Sequence, residues 1–332
     1  MKFPLLLHMD MTLYLLKNAL KGVKRFPLVL MLEPTHKCNL RCAGCGRIRE
    51  YRDTLGKELS LEECLQAIRE CPAPVVTVTG GEPLLYSQVG PLVKEILRRK
   101  RHVYLCTNGV LLGESLEMFR PSSRFTFNVH LDGPREVHDS IIGTPGTFDR
   151  ALNGIRKAKS QGFRVTTNTT IYRDTEPGKL DFLFHLLTKE GVDGFLVAPA
   201  YNYEAVEEGI FLTREEIVRK FKEIEAISRK YKVLSTPLYL EFLLGKRRLR
   251  CTPWGNPTRN PAGWKSPCYL ITDGHYPSFK ELMDKTPWER FVRGEDPRCT
   301  NCMMHCGFEP TVVRELGKNP LDLWRMILWN LT

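Results

Sequence analysis

Three closely spaced cysteines constrain more than any other feature what this 332-residue chain can form. Cys38, Cys42 and Cys45 follow an apolar run, residues 27–33, which is typical of a buried strand. Three thiolates can hold three irons of a four-iron cluster and leave the fourth iron open, whereas such clusters normally have four cysteine ligands. Zinc usually takes four ligands in two close pairs, so the triad favours an iron–sulfur cluster over zinc or three unrelated core thiols.

Apolar strands and helical stretches alternate over residues 27–200, which is the pattern of a parallel barrel. The predicted fold class is α/β, a partial (β/α)6 barrel of the TIM type with a small cysteine-rich C-terminal extension. We divide the chain into an N-terminal amphipathic segment (1–26), the barrel (27–232) and the extension (233–332). The predicted strands are residues 28–33, 75–79, 103–106, 125–131, 165–171 and 195–198.

The helices are marked by capping residues and apolar periodicity. Ser60 and Glu63 form a capping box before an apolar helical face, which predicts that Cys64 and Cys71 are core residues rather than metal ligands. Further helices are predicted near residues 88–99, 147–161, 177–189, 213–231 and 279–283.

A glycine-rich segment follows the second predicted strand: Gly80, Gly81, Glu82 and Pro83. Two glycines let a backbone approach a ligand closely. Together with the cysteine triad one strand earlier, this segment resembles the radical S-adenosylmethionine (SAM) superfamily. The resemblance implies that the cysteines bind a [4Fe–4S] cluster, that the open iron binds SAM, and that residues 80–83 receive the amino group of SAM.

Polar residues end the next strands, where the chemistry of α/β barrels gathers. We predict that they contact the ribose and the methionine carboxylate of SAM, with the alternative that they merely form turns, as Asn and Asp often do at such positions. The candidates are Asn108, Asn128, His130, Asp132 and Asn168.

Cys106 ends the third predicted strand. A thiol that points into the barrel mouth can donate a hydrogen atom or an electron to a substrate radical, so we assign it a catalytic role. The alternative is a buried small apolar residue, which is what a free cysteine usually is.

The C-terminal extension has its own cysteines. Cys299, Cys302 and Cys306 are closely spaced, and Cys251 and Cys268 could join them. Residues 267–274 resemble the hairpin that opens auxiliary-cluster extensions in the superfamily. We predict an auxiliary iron–sulfur cluster on Cys268, Cys299, Cys302 and Cys306, with zinc or no metal as alternatives.

A wider resemblance, carried by residues 26–34, 103–108, 125–133, 251–260, 267–270 and 305–307, is to the adenosylhopene transferases of hopanoid biosynthesis. It implies that the 5′-deoxyadenosyl radical adds to the terminal alkene of hopene (diploptene) to form adenosylhopane. SAM is then a cosubstrate, and a reductase such as flavodoxin or ferredoxin supplies the electron. Two features depart from this family: residues 139–146 look closer to the generic superfamily loop, and Gly109 stands where an alanine is expected.

Two other interpretations of the function remain open. The first is a radical SAM enzyme that abstracts hydrogen from another lipid or isoprenoid. The second is a non-enzymatic iron–sulfur redox protein, against which the glycine-rich segment and the open-corner triad argue.

The chain carries a net charge of +11, which suits anionic lipid, nucleic acid or simple solubility. No basic stretch is interleaved with stacking aromatics, so we expect no nucleic-acid partner. Both ends predict basic or Trp-containing amphipathic helices that suit a bilayer surface, with packing on the barrel as the alternative. The grouped cysteines and the lack of a secretory pattern predict a cytoplasmic protein, either free or peripheral on the inner face of the membrane.

Overall fold

The computed structural model describes residues 2–203, 206 and 209–331, apart from the side chain of Ile48. One nine-stranded sheet organises them, in the order β6-β5-β4-β3-β2-β1-β7-β8-β9. Neighbouring strands from β1 to β6 are parallel, which confirms the predicted partial barrel. The strands are β1 Val29–Thr35, β2 Val75–Gly80, β3 His102–Thr107, β4 Phe125–His130, β5 Arg164–Ile171, β6 Phe195–Pro199, β7 Thr258–Asn260, β8 Gly263–Pro267 and β9 Thr272–Tyr276.

Fifteen α-helices, separated by short 3₁₀ turns, surround the described sheet. They are α1 Leu5–Leu20, α2 Gly46–Glu50, α3 Leu61–Glu70, α4 Val89–Arg98, α5 Leu112–Ser115, α6 Arg135–Ile142, α7 Thr147–Ser160, α8 Pro177–Lys189, α9 Arg214–Glu223, α10 Glu225–Lys230, α11 Pro237–Leu243, α12 Phe279–Lys285, α13 Trp288–Val292, α14 His305–Glu315 and α15 Pro320–Leu331. None of the helices in the described part of the chain has the length and apolar character needed to span a bilayer.

The predicted elements are found with small shifts of their ends. The capping box at Ser60 and Glu63 is present, and Cys64 and Cys71 are fully buried, as predicted. The single helix predicted over 213–231 is wrong: α9 and α10 are separate, because the backbone leaves the helical pattern at Ile224.

The two faces of the strands differ in chemistry. Leu105, Phe127 and Val165 are fully buried in the main apolar core beneath the outer helices. Because strand residues alternate between faces, Cys106 and Asn128 point the other way, into the barrel. These two residues pair in register. The barrel lumen is therefore polar, which suits a cofactor with many polar atoms.

The C-terminal extension continues the barrel sheet. β7 pairs in parallel with β1, and β8 and β9 follow as antiparallel strands. The predicted hairpin is present, with Cys268 in the turn between β8 and β9. The first strand of the extension therefore lies beside β1, which leads into the first triad.

Helix α1 covers the amino ends of the parallel strands. Asp10 Oδ2 lies 2.7 Å from Nε2 of His102, the first residue of β3. The Tyr14 hydroxyl donates to the carbonyl oxygen of Pro27, just before β1, at 2.9 Å. The N-terminal segment is thus fixed to the end of the barrel opposite the cysteine triad.

Candidate active site

The first three cysteines lie on one loop between β1 and α2. The backbone N–H of Cys45 donates to the carbonyl oxygen of Cys42 at 3.2 Å. Arg49 Nη1 donates to the carbonyl oxygens of Cys42 and Cys45 at 3.2 and 3.0 Å. One arginine therefore holds the loop that carries the triad.

Apolar residues support the same loop. Cys38 and Cys42 pack against a small cluster of Leu40, Val110 and Ile142. Burial raises the pKa of the Cys38 thiol to about 11 and that of Cys42 further above its usual range. Without a compensating cation the two groups stay neutral thiols, so thiolate ligation requires bound metal.

The three thiols of the triad lie near one another. Cys42 lies close enough to Cys38 and Cys45 for their charges to interact. Nevertheless, no three His, Cys, Asp or Glu side chains within residues 2–203, 206 and 209–331 form a group that could hold one metal ion. Three neighbouring thiols on one loop are the ligand set that an iron–sulfur cluster requires from this segment.

The glycine-rich segment packs directly on the start of the cysteine loop. Gly81 N donates to the carbonyl oxygen of Thr35 at 3.0 Å, and Glu82 N donates to that of Lys37 at 2.7 Å. A Cβ atom on Gly81 would lie 2.0 Å from the Lys37 carbonyl oxygen, and Gly80 has a φ of +117°. Glycine is therefore required here for the close approach of two backbone segments.

The Glu82 carboxylate joins the ends of β2 and β3. It accepts hydrogen bonds from Thr107 Oγ1 (2.8 Å), Asn108 N (2.9 Å) and Leu84 N (3.0 Å). Burial raises the pKa of Glu82 to about 7, although these donors act in the opposite direction. Pro83 follows as the first residue of a buried 3₁₀ turn. Glu82 thus braces the predicted SAM-binding segment.

Cys106 lies in a polar row across three strands. Asn128 Nδ2 lies 3.5 Å from Cys106 Sγ, and Thr166 Oγ1 donates to Asn128 Oδ1 at 3.0 Å. Burial raises the pKa of the Cys106 thiol to about 11. A neutral thiol that faces the lumen can act as a hydrogen-atom donor, which the assigned role requires.

Three of the remaining polar candidates, His130, Asp132 and Asn168, lie close together on β4, just after β4 and on β5. His130 and Asn168 pair in register on the lumen face, and His130 Nε2 lies 2.8 Å from Asp132 Oδ2. Burial opposes the charged form of His130, but the Asp132 carboxylate raises its pKa overall. Asp132 Oδ1 also accepts from Thr170 N at 2.8 Å. Asp132 therefore holds the His130 ring on one side and the backbone of β5 at Thr170 on the other.

The side chain of Asn108 is engaged in hydrogen bonds that hold a turn. Its Oδ1 accepts from Val110 N at 3.0 Å, and its Nδ2 donates to Asn39 Oδ1, in the cysteine loop, at 2.9 Å. Gly109, the departure from the family pattern, has a φ of +78°, and a Cβ there would lie 2.8 Å from Ala151 Cβ. The space and the backbone conformation both exclude the expected alanine.

The C-terminal cysteines are gathered in one place. Cys268, Cys299, Cys302 and Cys306 share a cluster with Tyr201, Leu270 and Ile271. Burial is the main cause that raises the pKa of each of these thiols. Cys251 interacts electrostatically with all four and abuts Gly307, where a Cβ would lie 2.6 Å from its sulfur.

A buried ion network that the sequence analysis missed joins the two cysteine groups. Arg47 Nε lies 2.9 Å from Glu33 Oε1, and Arg47 Nη1 lies 3.0 Å from Glu50 Oε2. Lys265 Nζ donates to the carbonyl oxygen of Tyr269 at 3.0 Å. Glu33 and Lys265 are at most 1% exposed. The available signal was a glutamate at the end of an apolar strand, followed by an arginine two residues after the third cysteine.

An aromatic and aliphatic cluster lies at the carboxyl ends of β5 and β6, beside the first triad. It contains Tyr172, Ala200 and Phe211, with Tyr203 packed against it. A Cβ on Gly44 would lie 2.7 Å from the Tyr172 hydroxyl oxygen, so this cluster contacts the cysteine loop itself. The mouth of the polar lumen therefore has one apolar wall.

An apolar stretch of the C-terminal extension is part of the main core. Tyr239 and Phe242 of α11 are in the main core, as is Trp254. Core packing therefore explains the apolar character of this stretch.

Two family models match separate parts of the chain. Residues 32–186 match the radical SAM superfamily, and residues 195–326 match a domain of unknown function, DUF3463. The first match contains the triad, the glycine-rich segment and all the strand-end candidates. Residues 32–186 belong to the radical SAM superfamily.

Curated relatives agree with this radical SAM domain. A GTP 3′,8-cyclase of Clostridium perfringens is 32% identical over 171 residues, which cover 49% of this chain and 53% of that protein. An AdoMet-dependent heme synthase of Oleidesulfovibrio alaskensis is 31% identical over 150 residues, which cover 44% of this chain and 38% of that protein. This chain thus matches about half or less of each of these relatives.

Solved structures share the fold over most of the chain. Streptococcus suis SuiB bound to precursor peptide SuiA has a TM-score of 0.66 at 15% identity, covering 92% of this chain and 76% of that one. The protein anSMEcpe with bound AdoMet has a TM-score of 0.61 at 17% identity, covering 92% and 97%. The radical SAM domain implies SAM and a [4Fe–4S] cluster, for which Cys38, Cys42 and Cys45 would supply the thiolates.

Proposed function

We propose that this radical SAM enzyme adds the 5′-deoxyadenosyl group of SAM to the terminal alkene of a hopene-type triterpene, forming adenosylhopane. The single observation that best supports an apolar substrate is the cluster of Tyr172, Ala200 and Phe211 at the barrel mouth, in contact with the cysteine loop. A polycyclic hydrocarbon has no polar handle, so its site must be apolar and select by shape.

Each group of site residues has its own role in this proposal. When bound on Cys38, Cys42 and Cys45, the cluster supplies the electron that cleaves SAM into methionine and the 5′-deoxyadenosyl radical. The Gly80–Pro83 segment, held against the cysteine loop by Glu82 N, positions the amino group of SAM. Asn128, His130 and Asn168 line the lumen and suit the polar parts of the cofactor, while Asn108 and Asp132 brace it.

Cys106 is the proposed catalytic thiol. Addition at the unsubstituted alkene carbon leaves a tertiary carbon radical, the more stable of the two outcomes. The Cys106 thiol donates its hydrogen atom to that carbon, and the resulting sulfur radical takes one electron from the external reductase and one proton from solvent. The 3.5 Å contact with Asn128 orients the sulfur toward the lumen.

An auxiliary iron–sulfur cluster on Cys268, Cys299, Cys302 and Cys306 completes the proposal. These four thiols share one buried cluster of side chains, which supports a common ligand. Zinc and the absence of metal are the other two outcomes. We place the enzyme in the cytoplasm, with a flavodoxin or ferredoxin as electron donor and attachment to the inner face of the membrane, where a triterpene resides.

The test is anaerobic turnover of reconstituted protein with dithionite, SAM and hopene, analysed by mass spectrometry. We expect an adenosyl–hopene adduct that is absent with Cys42→Ala. Free 5′-deoxyadenosine without the adduct contradicts the substrate and favours the second candidate, hydrogen abstraction from another lipid or isoprenoid.

A further inference from the structure

We propose that α1 and α15 together form one rigid surface that docks on an anionic lipid bilayer and holds the barrel mouth on the far side of the protein. This inference deepens the membrane association proposed above and rests on it, but its test does not use turnover. The terminal-helix surface consists of large apolar side chains that are each at least 40% exposed: Leu5, Met9, Leu13, Leu16, Leu20, Val23, Leu321, Leu323, Trp324, Ile327, Leu328 and Leu331.

The two helices are joined at their termini. Lys2 N donates to the carbonyl oxygen of Asn330 at 2.9 Å, and Phe3 N donates to Asn330 Oδ1 at 2.9 Å. The rings of Phe3 and Trp329 lie 5.9 Å apart. Residues that are more than 300 positions apart therefore bring the start of α1 and the end of α15 together, and each helix exposes several large apolar side chains.

The acidic side chains of these two helices face the protein, whereas basic side chains are exposed. The only acidic residue of α1, Asp10, is turned toward the barrel, and the only acidic residue of α15, Asp322, is 8% exposed and accepts from Arg247 at 2.9 and 3.0 Å. The exposed charges beside the apolar face of α1 are basic: Lys17, Lys21 and Lys24. Apolar side chains flanked by lysines suit the boundary of an anionic bilayer.

A second copy of the chain fits this surface less well. In a two-fold dimer the same patch meets itself, so Lys17, Lys21 and Lys24 would approach their own counterparts. Like charges brought together oppose association. Anionic lipid headgroups supply the missing counter-charge, and so the bilayer is the occupant that we assign.

The position of α1 fixes the orientation of the barrel. Asp10 pairs with His102 and Arg124, and Arg164 Nη2 donates to the carbonyl oxygen of Lys2 at 2.8 Å. These partners lie at the amino ends of β3, β4 and β5, whereas the cysteine triad follows the carboxyl end of β1. The docking surface and the radical site are therefore at opposite ends of the barrel.

The first test is flotation of the full chain with vesicles, without SAM or hopene. We expect binding to phosphatidylglycerol/phosphatidylethanolamine vesicles that falls at least about tenfold in Leu13→Asp/Leu16→Asp and in Lys17→Glu/Lys21→Glu/Lys24→Glu, the latter because each basic residue contributes several-fold. The matched control is Phe182→Asp, an exposed apolar residue (58%) on α8, which should bind like the native chain.

The second test locates the contact. Vesicles that contain brominated lipid should quench the tryptophan emission, and Trp324→Phe should lower that quenching, because Trp254, Trp264 and Trp288 are buried and only the half-buried Trp329 of the same helix remains near the bilayer. Equal binding to neutral phosphatidylcholine vesicles, unchanged binding of Leu13→Asp/Leu16→Asp, or a native dimer that this variant converts to monomers without loss of vesicle binding would overturn the inference. Intact docking without any adenosyl–hopene adduct would instead count against the proposed substrate alone.

Discussion

Arg47 Nη2 donates a 2.5 Å hydrogen bond to the carbonyl oxygen of Tyr269, and its guanidinium carbon lies 4.3 Å from the centre of the Tyr269 ring. Arg47 is two residues past Cys45, and Tyr269 follows Cys268. This contact therefore joins the loop of the radical SAM triad to the C-terminal cysteine group.

Replacing Arg47 with methionine should lower the free energy of unfolding by about 3 kcal/mol, because it leaves the fully buried Glu33 carboxylate without its partner. Urea denaturation measures the change. The control is Arg52→Met, whose side chain is 81% exposed and pairs with Asp53 only at 3.8 Å. Exposed pairs of this kind contribute about 0–1 kcal/mol, so equal losses in both variants contradict a structural role of the network.

Gly81→Ala should separate the glycine-rich segment from the cysteine loop, because the new Cβ would lie 2.0 Å from a backbone oxygen that cannot easily move. A cost of about 1.4 kcal/mol in SAM binding weakens it about tenfold. Equilibrium binding to the reconstituted protein measures the effect. Gly56→Ala serves as the control, since nothing lies within 4 Å of its Cβ position. Native affinity in Gly81→Ala would contradict the assigned contact.

Cys106→Ala should lower the yield of the reduced adduct or change which products form, because the lumen thiol that quenches the substrate radical is absent. Mass spectrometry of the turnover mixture shows the change. Cys64→Ala removes a thiol that is fully buried outside the lumen, so it should cost stability and leave the product pattern as it is. The catalytic role of Cys106 is refuted if its variant gives native yield and products.

Iron content should distinguish the outcomes at the C-terminal cysteines. Two cubanes give about eight irons per chain, and one gives about four. We expect about eight in the native chain and about four in Cys302→Ala, with the remaining iron lost on further replacement of Cys42. A native value of about four, unchanged in Cys302→Ala, rules out the auxiliary cluster.

Glu309 should make stability depend on pH. Its carboxylate accepts from Thr236 N and Oγ1, but burial raises its pKa from 4.5 to about 7. The folded chain then binds the proton more tightly than the unfolded chain, so this contribution to stability falls as pH rises from 4.5 to 7 and is constant above. Melting curves at pH 5 and pH 8 should show a smaller difference in Glu309→Gln than in the native chain. An identical difference contradicts the shift.

Much of the barrel was predictable because its signals are local. The strand preceding the triad, the capping box at Ser60 and the glycine-rich segment are encoded within a few neighbouring residues, and each was found in place. The chemistry of the triad follows from its spacing. Helix 213–231 was predicted too long because its periodicity continues past Ile224, where the chain breaks the helix.

The roles of the long-range partners were not predictable. That Glu82 braces β3, that Arg47 reaches Tyr269 and that Phe3 N donates to Asn330 depend on residues brought together over 25 to 327 positions. Sequence periodicity indicates which face of an element is buried, but not what covers it. The sequence by itself thus determined the cofactor chemistry and the barrel, whereas tertiary packing alone decided which polar groups bind one another, that the two ends of the chain meet at Asn330, and that α1 lies at the end of the barrel opposite the cysteine triad.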